Sequence, residues 1–245
     1  MKRYNFLWIV FLTLFFFSCD KKTENMSRST YYVAFEIKGA NPVIMQVGDE
    51  YVDAGAIATL QGKDVTGTMI TKSNVVDSEM GLYKVEYSAV NADGLVSRAV
   101  RDVIVCNPDV TADISGTWDV SDETYRYYDP TGVETPYGGE GFTVKITYIA
   151  AGFFSVSDFF AGYYSVFRYP GNGTVYDMTG YLGLNEDNTI NVLSSHVTAW
   201  GDGLDVIENG IYDPDSDPDF EILKWDAIYS DGDIVFHVKL TKKKE

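Results

Sequence analysis

A sugar ring presents a flat face of C–H groups edged by hydroxyls. The side chains suited to hold it are aromatic planes with carboxylates or amides beside them. Two stretches of the chain carry that combination: Ser157-Asp158-Phe159-Phe160-Ala161-Gly162-Tyr163-Tyr164, running on through Tyr169 to Asn172, and Ala199-Trp200-Gly201-Asp202-Gly203-Leu204-Asp205. Their residue types single out Trp200, Tyr163, Tyr164 and Tyr169 as stacking partners for a polysaccharide or oligosaccharide. Asp202, Asp205 and Asn172 are the matching hydrogen-bond partners. Core filling competes with this use at every aromatic position. At Trp200 the neighbours tip the balance, because Gly201 and Gly203 around Asp202 give the backbone a freedom unsuited to a strand interior, so Trp200 is expected in an exposed loop.

Other chemistries find little to stand on. His196 and His237 lie in different segments, neither with Cys or His at ligand spacing, so a zinc site lacks support and no cofactor is called for. Neither a Gly-x-Ser-x-Gly elbow nor a phosphate-binding glycine loop occurs. Asp49, Glu50 and Asp53 offer oxygens to a calcium ion, as do Asp213, Asp215, Asp217 and Asp219. The second set has Pro218 where a calcium loop needs Gly and Lys224 where it needs Glu, and both sets read as solvated acidic turns. Pairs of carboxylates are too common in this chain to mark a glycosidase. An enzyme is not expected. With 36 acidic against 19 basic side chains and a formal charge of −17, a phosphate-neutralising surface is excluded, and nucleic acid with it.

The elements that would carry these residues begin with an export signal over 1–18. Lys2 and Arg3 precede an apolar run from Phe6 to Phe17, broken only by Thr13 and too short to span a bilayer. Ser18-Cys19 after that run resembles the lipobox of bacterial lipoproteins, which implies cleavage before Cys19, its lipidation, and an outer-membrane location reached through the lipid alone. Residues 19–30 then read as a polar tether. Cys106, behind Val103-Ile104-Val105, is expected to be a small buried residue at a strand end.

Aromatic and Gly-rich composition with few prolines favours an all-β chain. In 31–107, Tyr83, Val85, Tyr87 and Ala89 alternate with polar neighbours, and Asn91-Ala92-Asp93-Gly94 supplies a hairpin turn. Gly48-Asp49-Glu50-Tyr51-Val52-Asp53-Ala54-Gly55-Ala56, Gly81 to Tyr87 and that turn resemble the bacterial Ig-like domain of pesticidal crystal proteins. The resemblance implies an immunoglobulin-like sandwich acting as a spacer. Tyr83 fits a tyrosine corner. After a linker at 108–113, residues 114–245 show eight strand candidates, the first carrying Gly116-Thr117-Trp118, a Gly-x-Trp of the kind that opens lipocalin-like barrels. An antiparallel β-barrel or sandwich is expected. The four aromatics from Phe159 to Tyr164 are too many for one strand face and are expected to cover two surfaces. The Trp200 cluster, Gly210-Ile211-Tyr212-Asp213 and Trp225 together resemble a family of Bacteroidetes lipoproteins that pairs an Ig-like domain with a lipocalin-like β-domain. That resemblance implies architecture and location and transfers no site residue. The sequence therefore points to a non-enzymatic envelope lipoprotein that captures glycan. The alternatives are a lipocalin-like carrier of a small apolar ligand and a structural or adhesive surface subunit.

Overall fold

The computed structural model describes residues 29–244. The export signal and Cys19 lie outside the described residues. The first unit contains β1 (Ala34–Ile37), β2 (Val43–Gln46), β3 (Ala56–Leu60), β4 (Lys63–Asp64), β5 (Ile70–Ser73), β6 (Gly81–Val90) and β7 (Val96–Cys106). They form two sheets, ordered β1-β3-β4 and β2-β7-β6-β5, with β2 running parallel to β7. The alternating face of β6 delivers Val85 and Tyr87 to a core shared with Ala56, Val103 and Val105. Asn91 fixes the β6–β7 turn through its side-chain oxygen, which accepts from Asp93 N at 3.0 Å and Leu95 N at 2.8 Å. The Tyr83 hydroxyl donates to Glu79 O at 3.0 Å, the corner contact its position implied. Asp53, one of the calcium candidates, is instead the counter-charge of Arg101. The two meet at 2.6 Å, with the Tyr87 hydroxyl also donating to Asp53 at 2.6 Å and Arg101 almost wholly buried.

The second unit contains β8 (Gly116–Val120), β9 (Tyr125–Tyr128), β10 (Val133–Pro136), β11 (Thr143–Ala150), β12 (Phe153–Val156), β13 (Met178–Leu184), β14 (Ile190–Val197), β15 (Val206–Asp213), β16 (Phe220–Tyr229) and β17 (Ile234–Lys243). Eight of them form one antiparallel sheet, β14-β13-β12-β11-β8-β17-β16-β15, an up-and-down order that curls into a half-barrel. Its two edges meet at one bridge, Thr189 to Ile211, beside a 2.9 Å bond from Tyr212 N to Asn188 O. The hairpin β9–β10 is an addition that sequence reasoning did not foresee, laid beside the first half of β17.

The concave interior is occupied by the chain's own side chains. Trp118, Phe159, Phe160, Met178, Trp225 and Phe236 are all fully buried in one cluster, with the indoles tied to Ile114 O at 2.8 Å and Phe159 O at 3.0 Å. This corrects the carrier alternative, because the space a small apolar ligand would take is already filled. Trp118 nonetheless sits where the Gly-x-Trp pattern placed it, buried at the start of the barrel.

Candidate functional site

One rim of the half-barrel is closed by residues 157–177, which leave β12, cross the opening and return as β13. The aromatics from Phe159 to Tyr164 do not divide between two surfaces, as their crowding implied. They fold into a plug ending in one π-helical turn, Tyr163–Arg168, and all four are buried. Asp158 holds the plug. Its carboxylate accepts from Phe160 N at 2.9 Å, Gly162 N at 2.7 Å and Met178 N at 2.9 Å. Burial first, and then the charge of Asp177, push its pKa up to about 7 against those three N–H groups. Gly162 adopts φ of +85°, which residues with a side chain rarely take, and a Cβ there would also stand 2.9 Å from the Phe142 ring.

Against this plug lies the Trp200 turn. The indole is 42% exposed, and its ring centroid is 4.8 Å from Tyr164, 5.4 Å from Tyr176 and 6.1 Å from Tyr229. Tyr169, also exposed, lies 4.9 Å from Tyr176 and stacks on Tyr164 at 6.1 Å. Trp200 and Tyr169 thus form the open face of a five-ring cluster, with Tyr164 and Tyr229 as its floor. Asp202 stands at its edge, where its carboxylate accepts the Tyr229 hydroxyl at 2.9 and 3.1 Å. Burial and this carboxylate together push the Tyr229 phenol well up, so it remains a donor.

The remaining sequence candidates divide. Tyr163 is buried within the plug, 5.1 Å from Tyr137 and 5.6 Å from Phe167, and lies beneath the open face rather than on it. Asp205 fastens the turn to the β16–β17 connection by accepting Gly232 N at 3.1 Å. Asn172 heads the short helical turn Gly173–Tyr176 that delivers Tyr176. Gly201 has positive φ, as a turn requires, but Gly203 does not. A side chain at Gly203 would stand 2.7 Å from Ser195 O, so close approach and not freedom explains it. Tyr176 and Tyr229 were missed because each sits at a segment end whose pattern reads as strand. The one available signal was their place beside turn residues.

The arrangement can stack a flat ring and bond its hydroxyls. Among the described residues, no three His, Cys, Asp or Glu side chains are grouped to hold a metal. Asp213 and Asp217, from the acidic loop, instead accept from the backbone N–H groups of Ser216 and Phe220.

A family profile for the C-terminal domain of BT2262-like proteins matches residues 107–242, more than half of the chain. The chain belongs to this family. A second profile, of the bacterial surface protein Ig-like domain, matches residues 35–105, and neither family is an enzyme family. The lipoprotein BT2262 from Bacteroides thetaiotaomicron is 30% identical over 86% of this chain and 100% of its own, with a TM-score of 0.45. Two structures of ZmpB from Clostridium perfringens also align. The M60 catalytic domain with CBM51-1 and CBM51-2 is 16% identical over 52% of this chain and 14% of that one, at a TM-score of 0.26. CBM51-2 in complex with GlcNAc, with INT domains, is 14% identical over 85% and 43%, also at 0.26. Likeness at that level transfers no ligand to this family member. No curated protein matches the chain.

Proposed function

We propose that this family member is a non-catalytic, lipid-anchored envelope protein that binds glycan at the outer-membrane surface through the Trp200 rim. Cys19 carries the lipid, 19–30 is the tether, 31–107 the spacer, 108–113 the linker and 114–245 the binding domain. The observation that carries the reading is the gathering of Trp200, Tyr169, Tyr164, Tyr176 and Tyr229 into one cluster with an exposed face and a carboxylate at its edge. Exposed aromatic planes are costly in water and are favoured where an amphipathic ligand covers them. Isothermal titration of the folded protein against plant, host and microbial polysaccharides tests it. Heat is expected with at least one glycan, and the affinity should fall on Trp200→Ala. Silence across the panel from a folded sample rejects the reading.

A further inference from the structure

Against the plug, on the neighbouring hairpin, stands a cation that no ion pair neutralises among the described residues. Arg126 leaves β9 with its guanidinium 5.1 Å from the Tyr128 ring centre and 5.5 Å from that of Tyr163. Its charge reaches the Tyr164 phenol, where it works against the upward push of burial. Its Nε is buried and has no hydrogen-bond partner. Arg168, at the end of the π-helical turn, lies 5.7 Å from the Tyr169 ring centre and is exposed. Among the described residues, neither arginine is in an ion pair.

Arg126 and Arg168 flank one aromatic cluster, and the acids nearest it, Asp158 buried in the plug and Asp202 at the rim's edge, are spent on the backbone N–H groups of the plug and on the Tyr229 hydroxyl. The ring contacts connect the two arginines to the rim without a break. Tyr163 is 4.8 Å from Tyr164, which is itself 4.8 Å from Trp200, and Tyr169 stacks on Tyr164 from the Arg168 side. A guanidinium held between aromatic rings keeps its planar fork of donors in place, the geometry that matches a carboxylate or sulfate. The overall charge does not forbid an anionic ligand. Screening limits each exposed charge to about 8 Å at physiological salt, so the nearest cations decide.

From these observations we infer that the rim selects acidic saccharides, chains bearing carboxylate or sulfate groups, with Arg126 and Arg168 engaging the anionic groups and Trp200 and Tyr169 stacking on the rings. This rests on the glycan-binding reading above and narrows it. Tyr163 then has a role despite its burial, as the surface on which Arg126 is held.

Affinity electrophoresis of the full-length protein, in gels containing matched pairs of polymers, tests the inference. The pairs are polygalacturonate and its methyl ester, hyaluronan and its methyl ester, and chondroitin sulfate and its desulfated, carboxyl-reduced form. At least one acidic polymer is expected to retard the protein tenfold more strongly than its neutral partner, with retardation weakening as salt rises. Arg126→Gln and the exposed Arg168→Gln should each erase most of that preference while leaving retardation by neutral polymer unchanged. Trp200→Ala should reduce both. If Arg126→Gln fails to fold, Arg168→Gln and the salt series on the unaltered protein decide alone. Equal retardation by acidic and neutral partners in every pair overturns the acidic selection but leaves glycan binding standing. No retardation by any of the six polymers overturns the inference, and silence across the broader titration panel rejects glycan binding as well.

Discussion

Trp200 is the residue at which binding and folding separate most cleanly. Its ring is 42% exposed, and the turn that carries it is held by backbone bonds from Gly201 N to Val197 O and from Ala199 N to Val175 O. Truncation therefore removes contacts with Tyr164 and Tyr176 but leaves the turn in place. Trp200→Ala is expected to cost about 1–2 kcal/mol of stability, well below the roughly 3–5 kcal/mol of a core tryptophan. Binding should weaken by about 1–3 kcal/mol, as for a principal aromatic anchor. A thermal melt and one isotherm read both, and a loss of stability in the core range would reassign the ring to packing. Asp53 is the opposite kind of residue, since nothing about it concerns a ligand. Asp53→Ala would leave the Arg101 guanidinium, 1% exposed, without its counter-charge. Urea unfolding should then show a loss of about 3–5 kcal/mol, far above what an exposed turn carboxylate gives. That difference was invisible in the sequence, where Asp53 and Asp49 look alike. Only the pairing of the loop before β3 with β7 tells them apart.

The strands show what was legible and what was not. Alternation in β6 gave its inward face directly, and each of the eight strand candidates overlaps one barrel strand, although the one that took in Tyr176 begins only at Met178. The hairpin β9–β10 escaped because Tyr125-Arg126-Tyr127-Tyr128 is aromatic or charged on both faces, so it has no period of two to read. The plug escaped for a different reason. Its conformation is set by Asp158 reaching Met178 N across the barrel opening, a contact between distant residues that no local pattern announces. The same residue gives this element a pH dependence. Asp158 has its pKa raised from 3.8 to about 7, so the folded protein holds the proton more tightly than the unfolded chain. That contribution is complete below about pH 4 and is lost as pH rises through about 7. Melts across this range are expected to show Tm falling by several degrees toward neutral pH, with Asp177→Asn shrinking the fall by removing the neighbouring charge. A flat profile in the unaltered protein would mean that the three N–H donors outweigh burial and keep Asp158 ionised throughout.

At the scale of the whole molecule, the Ig-like unit and the half-barrel are joined by more than the segment between them. Ile104 and Cys106 from β7 share a buried cluster with Ala150 and Phe153, against which Leu82, Tyr181 and Leu193 pack. Cys106 thus has the buried strand-end place its sequence implied, and its thiol, raised by burial, packs rather than reacts. Met80 reaches over the glycines of the barrel. A Cβ at Gly152 or Gly183 would stand 3.1 Å from it, and closer still to Leu184 O and Asn191 Oδ1 of the barrel itself. Asn107 Nδ2 donates to Glu186 Oε1 at 2.9 Å, and Val110 within the linker is buried in the barrel core. A joint with its own apolar core ties the unfolding of one unit to the other and holds the Trp200 rim at a fixed place relative to the Ig-like unit. Placing carboxylates in that joint, Met80→Asp with Leu82→Asp, sets two partly desolvated charges at half-buried positions outside either unit's central core. Calorimetry is expected to resolve two transitions in the double variant where the unaltered protein gives one, and the solution radius of gyration should increase. Glycan affinity should survive, because the rim lies wholly within the half-barrel. A single transition in the double variant would show that the units are held together by something other than this cluster.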